Sequence, residues 1–423
     1  MFLLNLGHRW NLSSSVDEIN SVVYLPTGNS SERLSRAAVP EFQRLFFDPQ
    51  LYLATLNATE CPTACSRLST YPWFFAEIDD FDSNESTRRD WERSVKDEVV
   101  ECWRGTVPDE SERSESARSA VEFQVHLSCT HLILPTPLIT EREDEALTTA
   151  EWIDAGLESC NSLEVGQPIV ATVAIAEGCL HDAAFDAGGF LDTIIDQVTT
   201  RDGIDGVYIV IAQTQAKHPF LTDAHVLRAY FRLTTSFRHA GLQVFVNFIG
   251  VFGKVCMGAG ATGFASGASQ TQRRLSLADF EEPGFGFALP KFYSDRVVGE
   301  FLTETDLNVV VARRLLRRIR DATPYSQSLI EVLESGGTAA DIPEWAESRN
   351  NTTGAYQHFV ARLAIEAADL QGRSPRQRRT AVRDWLDDAQ ANALLLHERV
   401  GDSISPTLAP SQRWLDLFDE IEP

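Results

Sequence analysis

The feature that most constrains the fold is a regular alternation of apolar runs and amphipathic segments in the middle of the chain. Residues 190–200 and 223–241 place their apolar side chains on one helical face each. Strand-like runs rich in β-branched residues precede, separate and follow these segments, at 167–176, 205–213, 242–250 and 261–269. Strands that are apolar throughout and separated by helices are typical of a parallel sheet buried on both faces.

Further strand-like runs extend the series on both sides, at 50–57, 73–78, 130–139 and 285–294. The total is seven or eight parallel strands before residue 300, which is enough to close a TIM-like (β/α)8 barrel. An open doubly wound parallel sheet has the same local pattern and remains the alternative. Residues 104–119, which are rich in Glu, Ser and Arg, predict an exposed charged excursion near 79–120.

Beyond residue 300 the pattern becomes helical. Residues 303–323 begin with a capping pattern, Thr303-x-x-Asp306, and 335–353 are rich in Gly, Asn and Thr like a linker. Two further amphipathic segments predict long helices, at 356–371 and 376–400. We therefore assign residues 1–335 to a barrel-like domain and 336–423 to a C-terminal helical extension that packs on the barrel or on another chain.

The charge of the chain is strongly acidic, with 61 Asp and Glu against 37 Lys and Arg and a formal net charge of -24. Only four of the basic residues are lysines. Such self-repulsion is screened at molar salt, so we interpret the protein as halophilic; a high-GC coding bias is the alternative. The N-terminus lacks a basic segment before its apolar run, and no stretch reaches the length of a membrane span, which favours a cytoplasmic protein without a membrane partner.

Cysteine spacing and nucleophile motifs give little support to metal or covalent chemistry. Seven cysteines, an odd number, do not predict a disulfide framework. Cys61 and Cys65 form a C-x-x-x-C pair that needs outside ligands such as Cys129 and His131, so we predict no metal site. The sequence contains no G-x-S-x-G, S-x-x-K, H-E-x-x-H or C-x-x-C motif, and whether the protein uses a cofactor is unknown from the sequence.

Polar residues at the carboxyl ends of the predicted strands are the first candidates for a site, because ligands of parallel α/β folds bind there. Carboxylates in apolar surroundings can take acid and base roles, and a desolvated lysine can act as a nucleophile. The candidate catalytic residues are therefore Glu77, Asp79, Glu177 and Lys291, and the candidate substrate-binding residues at strand ends are Gln213, Asn247 and Tyr293. Each is equally compatible with a solvated loop or turn.

A glycine-rich segment between residues 247 and 274 raises a separate question. Glycines permit close backbone approach, and successive N–H groups at a helix start attract anions. An anion cradle here would use the backbone near Gly267, the hydroxyls of Ser266 and Ser269, and the guanidinium groups of Arg273 and Arg274. The alternative is that the glycines only pack a strand against a helix.

Two arginine clusters, at 313–320 and 373–383, could follow phosphates of a nucleic acid or pair with the many carboxylates. We favour the ion pairs. The sequence thus predicts a barrel enzyme of unknown reaction that acts on a small anionic or nucleotide-like substrate. The alternative is a non-catalytic or nucleic-acid-associated barrel whose arginine-rich tail binds a partner. The oligomeric state is not indicated.

Folding is expected to require high salt, because repulsion among the excess carboxylates falls as ionic strength rises. The measurement is the melting temperature of the full chain in dilute buffer and in molar KCl. We expect a clearly higher melting temperature in molar KCl, and an unchanged value would contradict the halophilic interpretation.

Overall fold

The computed structural model describes residues 1–7, 15–36, 42–74, 103, 105–140, 144–214, 219–281, 288–404 and 406–421. Eight parallel strands form one sheet in the order β3-β2-β1-β8-β7-β6-β5-β4. The strands are β1 (Phe2–Leu6), β2 (Ser21–Tyr24), β3 (Arg44–Phe47), β4 (Leu132–Ile133), β5 (Ile169–Ala176), β6 (Gly206–Ala212), β7 (Gln243–Val246) and β8 (Gly263–Ser266). The prediction of a TIM-like parallel barrel is confirmed.

The two edge strands approach each other and nearly close the barrel. Thr130 N donates to Leu45 O at 2.8 Å, and Leu45 N donates to the Thr130 hydroxyl at 2.9 Å. A side chain replaces one backbone partner, so this seam differs from the continuous ladder between β5 and β6, which pairs seven residues on each strand. Almost every strand residue is buried, as the continuous apolar runs predict.

Helices surround the sheet and continue into the C-terminal part of the chain. They are α1 (Ser31–Arg36), α2 (Pro62–Leu68), α3 (Glu110–His126), α4 (Asp144–Ser162), α5 (Phe190–Thr199), α6 (Ala224–His239), α7 (Phe252–Ala259), α8 (Thr305–Ala312), α9 (Leu316–Ile319), α10 (Gln327–Glu334), α11 (Thr353–Gln371), α12 (Pro375–Val400) and α13 (Ser411–Asp419). The predicted helices at 356–371 and 376–400 correspond to α11 and α12.

The first three strands are where the sequence predictions fail. The expected strand at 50–57 is instead a 3-10 turn, Leu51–Leu53, and the true strands β1 to β3 precede it. These strands have only four or five residues, and the described residues between them contain one short α-helix, α1, so the strand–helix alternation is much weaker here than later in the chain. The expected strand at 73–78 is described only at Trp73 and Phe74, which lie in a turn.

The predicted charged excursion is also wrong over residues 110–119, which belong to helix α3. Asp109 caps this helix, because its carboxylate accepts from Ser111 N at 2.8 Å and from Glu112 N at 3.2 Å. The buried side of α3 carries small residues, Ser116, Ala117 and Ala120, and packs against α4. A helix with a polar outer face and a small-residue inner face has little apolar periodicity, and the sequence therefore looked like a loop.

The expected strand at 285–294 forms, but not in the barrel. Residues Lys291–Ser294 are β9 of a three-stranded antiparallel sheet with β10 (Gly299–Leu302) and β11 (Thr407–Leu408), in the order β11-β10-β9. This sheet and α8 to α10 enclose a second apolar core.

The predicted helix at 303–323 breaks into α8 and α9 at Arg314, whose φ is 59°. The expected linker contains the fully buried Trp345.

A buried cluster of charges joins the barrel to the C-terminal helices. Lys254 of α7 forms ion pairs with Asp295 at 2.8 Å and with Glu366 of α11 at 3.0 Å. Its ammonium group also lies 3.7 Å from the centre of the Trp385 ring in α12. Arg362 of α11 pairs with Glu366 and, at 3.2 Å, with Asp321. Each cation is shared between carboxylates, so removing one helix would leave buried charges unpaired.

The C-terminal helices are therefore expected to be required for a stable barrel. A chain ending at Gly337 loses α11 to α13, which exposes the apolar surface that Phe359 and Leu363 cover and leaves Lys254 without Glu366. We expect this chain to aggregate or to unfold at a much lower temperature, as measured by size-exclusion chromatography and thermal unfolding in molar KCl. A soluble monomer as stable as the full chain would show that the helices form an independent module.

Candidate functional site

The carboxyl ends of several strands meet around one buried carboxyl group, that of Asp48. Asp48 directly follows β3 and is 0% exposed. The Tyr52 hydroxyl donates to its Oδ2 at 2.6 Å, and the Tyr208 hydroxyl of β6 donates to the same oxygen at 3.1 Å. Asn247, immediately after β7, places its Nδ2 at 3.5 Å from Oδ2. Because β3 and β6 are not neighbours in the sheet, these bonds cross the barrel interior.

Local chain geometry explains why Asp48 and Tyr52 meet. The Asp48 Oδ1 accepts a hydrogen bond from Gln50 N at 3.0 Å, an interaction by which aspartates commonly fix a turn. Gln50 has a left-handed backbone with φ of 53°. The 3-10 turn that follows returns the chain, so that Tyr52 points back to the carboxyl group. The Trp73 indole N–H donates to Pro49 O at 3.0 Å and anchors the turn.

Burial dominates the electrostatics of Asp48. It raises the pKa of this carboxyl to about 6, although the hydrogen bonds from Tyr52, Gln50, Tyr208 and Asn247 favour the ionised form. The pKa values of both tyrosines are raised well above 10 by burial and by the nearby carboxylate, so the phenols remain protonated donors. Within the described ranges, no Lys, Arg or His forms an ion pair with Asp48. A group that titrates near neutral pH can give or take a proton there.

Asn247 and Asn5 extend the network toward β1. Asn247 donates to the Tyr208 hydroxyl, and its Oδ1 accepts from Asn5 Nδ2 at 2.7 Å. Asn5 Nδ2 also lies 3.3 Å from the backbone carbonyl of Gln272. The structure thus places the predicted residue Asn247 in the barrel interior, where it links Asp48 to Asn5.

Four buried polar atoms at the carboxyl ends of different strands lack a partner within the described part of the chain. They are Asn5 Oδ1 of β1, Gln50 Nε2 after β3, Gln213 Nε2 after β6 and Ser266 Oγ at the end of β8. An unpaired buried polar group costs about 1–3 kcal/mol. Buried unpaired groups of this kind require an explanation, and a bound polar molecule is one that would satisfy them.

The glycine-rich segment packs over the end of the barrel. A Cβ added at Gly267 would lie 2.3 Å from Oε1 and 2.4 Å from Cβ of Gln272, and one at Gly7 would lie 2.6 Å from Gln272 Nε2. The Gln272 side chain is thus clamped between two glycines. The chain then reaches β6, where Gln213 N donates to Leu275 O at 2.8 Å. The tight contacts around Gly267 favour the packing alternative for this glycine.

The arginines expected to hold an anion are engaged within the protein. Arg273 is buried, pairs with Glu300 of β10, donates to Ala268 O at 2.7 Å and stacks 3.5 Å from the centre of the Phe359 ring. Arg274 is buried and pairs with Asp279 at 3.1 Å. The Ser269 hydroxyl lies 3.2 Å from Gln272 Oε1. The Arg273 contacts with Glu300 and Phe359 secure the segment against the C-terminal part of the protein.

The remaining predicted residues are dispersed. Glu177, at the end of β5, accepts from Thr214 N at 2.6 Å and from its hydroxyl at 2.9 Å, and so holds the loop after β6. Lys291 and Tyr293 were expected at the end of a barrel strand, but they belong to β9 of the antiparallel sheet. Lys291 lies 3.5 Å from Glu300, and Tyr293 donates to Asp295 at 3.1 Å. Glu77 and Asp79 lie outside the described residues.

Both arginine clusters contain side chains with protein partners. Arg320 pairs with Glu334 at 3.0 Å, and Arg383 pairs with Asp419 at 3.1 Å. Arg379 donates to the backbone carbonyl of Phe418 at 3.2 Å. These contacts are of the kind expected for ion pairs and helix-end contacts, and they lie between elements of the C-terminal part.

Other classes of site receive no support from the described residues. In those ranges no group of three His, Cys, Asp or Glu side chains could hold a metal ion. Burial raises the pKa of Cys61 to about 11 and that of Cys65 to about 12, so neither is an activated thiol. Among the helices described, none is long and apolar enough to cross a membrane.

A cavity of about 570 Å³ lies apart from Asp48, where Thr222 and Gln390 face the start of α13.

Comparisons with known proteins leave the site to be interpreted from its own geometry. No family model matches the chain, and no similar curated protein or solved structure is found. The fold is therefore established by the strand order itself.

Sequence reasoning missed Asp48, Tyr52, Tyr208 and Asn5. One available signal was the order Phe46-Phe47-Asp48-Pro49, in which a carboxylate directly follows an apolar run. This run is short, and no predicted amphipathic helix lies beside it to mark it as a barrel strand. Tyr208 lies within a strand rather than at its end, and only the barrel closure brings it to Asp48.

Replacement of Asp48 by Asn is expected to change how stability depends on pH. The pKa of Asp48 is about 6 in the folded protein and 3.8 as its ordinary value, so the folded state binds this proton more tightly. The contribution of Asp48 to the unfolding free energy is therefore largest below about pH 4. It decreases by roughly 3 kcal/mol as pH rises through about 6. The Asp48→Asn variant lacks this decrease. The difference in unfolding free energy between the variant and wild type should therefore shift in favour of the variant by that amount between pH 4 and 7.

Urea unfolding in molar KCl across that pH range measures the difference. The matched control is Asp202→Asn, because Asp202 is exposed and undergoes the same chemical change. An Asp48→Asn variant whose stability follows the wild-type pH curve would show that the Asp48 pKa is not raised by folding.

Proposed function

We propose that this protein is a barrel enzyme that binds a small anionic or nucleotide-like substrate at the carboxyl end of the barrel. The observation that carries the proposal is the set of unpaired buried polar atoms on Asn5, Gln50, Gln213 and Ser266, which lie at the same end as the buried Asp48 carboxyl. Unpaired buried polar groups beside a carboxyl group with a shifted pKa are typical of functional sites.

The arrangement supplies three chemical capacities. Amide and hydroxyl groups can donate and accept hydrogen bonds to fix a polar ligand. Asp48 can exchange a proton near neutral pH, which suits general acid or base catalysis. Tyr52 and Tyr208 hold its carboxyl in one orientation through bonds of 2.6 and 3.1 Å.

The binding role can be tested with a pair of serine variants. Ser266 and Ser294 are both fully buried, and the hydroxyl of each has no partner among the described residues. Ser266 lies at the barrel's carboxyl end, whereas Ser294 lies in β9 of the second sheet. Loss of an unpaired hydroxyl should leave the stability of either ligand-free variant unchanged or slightly higher.

We expect Ser266→Ala to weaken ligand binding by about five- to tenfold, the effect of one hydrogen bond, whereas Ser294→Ala should bind as wild type does. The measurement is a thermal-shift screen of nucleotides, sugar phosphates and small carboxylates in molar KCl, followed by titration of any ligand that stabilises wild type. A ligand that binds equally to wild type and both variants would place its site away from β8.

A further inference from the structure

The turn at residues 268–272, called here the covering turn, lies over the carboxyl ends of β1 and β8 and uses its own carbonyl groups to bind there. Gln272 O accepts from Gly267 N at 3.1 Å and lies 3.3 Å from Asn5 Nδ2. Ala268 O accepts from Arg273 Nη2 at 2.7 Å. Two carbonyl oxygens of one turn therefore occupy three N–H donors.

The side chain of Gln272 fills a space that two glycines leave between the ends of β1 and β8. A Cβ atom at Gly7 or at Gly267 would collide with this side chain. The space is therefore as large as one glutamine side chain, and a carboxylate or phosphate group is no larger. Thr271 is exposed and Gln272 is half-buried, whereas residues 273–276 are buried. The covering turn is thus a surface cover on a buried base.

Three further polar atoms around the covering turn have no partner among the described residues. They are Asn5 Oδ1, Ser266 Oγ and Arg273 Nε, and all three residues are buried. Nε and Nη2 form one edge of a guanidinium group, which can hold two oxygens of one carboxylate or phosphate. The covering turn supplies an oxygen to Nη2 only. A bound anion would supply the second oxygen, to Nε.

The charges around Arg273 favour an anion over a cation. Glu300 pairs with Arg273 and also lies 3.5 Å from Lys291, so two cations share one carboxylate. These three side chains together carry one excess positive charge. Attraction between that charge and an anion is strong in a poorly solvated place.

The Asp48 carboxylate does not oppose an anion under the covering turn directly. Asn5 Nδ2 donates to Asn247 Oδ1 at 2.7 Å, and Asn247 Nδ2 lies 3.5 Å from Asp48 Oδ2. Two amide side chains therefore lie between Gln272 O and Asp48. An anion that takes the place of Gln272 O is separated from the carboxylate by both of them.

We propose that the covering turn is an autoinhibitory plug over an anion site, and that a carboxylate or phosphate group of the substrate displaces it. In the displaced state, Gly267 N, Asn5 Nδ2 and the Nε–Nη2 edge of Arg273 bind the oxygens of the anion. The carbonyl oxygens of Ala268 and Gln272 hold these positions when no ligand is bound. The inference rests on the proposed function and deepens it, because it assigns the place of the anionic group and the movement that admits it.

Competition of this kind lowers the apparent affinity for an anion in proportion to the fraction of molecules in which the covering turn is open. A change that weakens the closed state should therefore tighten binding. Gln272→Ala is such a change, because it removes the side chain clamped between Gly7 and Gly267 and keeps every donor of the anion site.

The first experiment measures binding of inorganic phosphate, ribose 5-phosphate, citrate and, as a neutral probe, adenosine to the full chain in molar KCl. We expect Gln272→Ala to bind at least one anion about three- to tenfold more tightly than wild type. Arg273→Lys keeps a charge beside Glu300 but loses the two-donor edge, so it should bind about ten- to a hundredfold more weakly. Gln327→Ala, the same change at an exposed position of α10, should bind as wild type does.

Hydrogen exchange of the ligand-free protein tests the movement itself. The Gly267 amide donates to the covering turn, whereas the Gln213 amide donates to Leu275 O in the buried base at 2.8 Å. If the covering turn opens alone, the Gly267 amide exchanges by local opening and faster than the Gln213 amide. Gln272→Ala should speed exchange at Gly267 by about three- to tenfold and leave exchange at Gln213 unchanged.

The outcomes separate this inference from the proposed function. A Gly267 amide that exchanges as slowly as the amides of β6 overturns the inference and leaves the proposed function standing. An anion that binds wild type, Gln272→Ala and Arg273→Lys equally, or adenosine binding without any anion binding, has the same meaning. If no probe binds wild type or Gln272→Ala, both proposals fail. Should Arg273→Lys not fold, the affinity of Gln272→Ala and the exchange of Gly267 decide.

Discussion

The burial of one carboxyl group, that of Asp48, is the interaction on which the barrel interior depends. Its bonds to Tyr52 and Tyr208 connect the end of β3 with β6 across the barrel, and Asn247 and Asn5 carry the network on to β7 and β1. A barrel interior filled with apolar side chains would avoid a cost, because a buried carboxyl group is unfavourable unless hydrogen bonds compensate for its lost solvation. A polar interior at the ligand-binding end of the fold is therefore the strongest structural indication of a site.

The rest of the molecule holds this interior in place from outside. The segment after β8 crosses to β6, where it pairs through Leu275, and Arg273 fastens it to Glu300 of the second sheet. Lys254 and Arg362 join α7, α11 and the loop after β9 through shared carboxylates. Such buried ion pairs contribute little net stability by themselves, but breaking one partner is costly, so they fix how the C-terminal helices sit on the barrel.

The second half of the barrel was predictable from the sequence, and the first half was much less so. Strands β5 and β6 are long apolar runs, and periodic helices follow both of them, so the sequence pattern revealed this half even though β7 and β8 have only four residues each. Strands β1 to β3 are short, and α3 buries small residues instead of large apolar ones. Local patterns therefore carried too little information there.

The candidate site was predictable only in part, for a physical reason. Asn247 and Gln213 follow strands, Ser266 ends one, and all three could be found from position alone. The partnership of Asp48 with Tyr208 instead joins residues 160 positions apart through barrel closure. Lys291 was misplaced because a strand's sequence does not tell which sheet it joins. The arginines were candidates for anion binding because of their charge. In the structure, acidic residues distant in sequence bind them instead, as Glu300 does by forming an ion pair with Arg273.

The most direct test of the account is a carbon-13 NMR titration of the aspartate carboxyl groups, with the Asp48 signal assigned by its loss in Asp48→Asn. The account predicts that this carboxyl titrates near pH 6 in the ligand-free protein. A carboxyl that titrates near its ordinary value of 3.8, with or without ligand, would contradict the claim that Asp48 is a buried group able to exchange a proton at the barrel's carboxyl end.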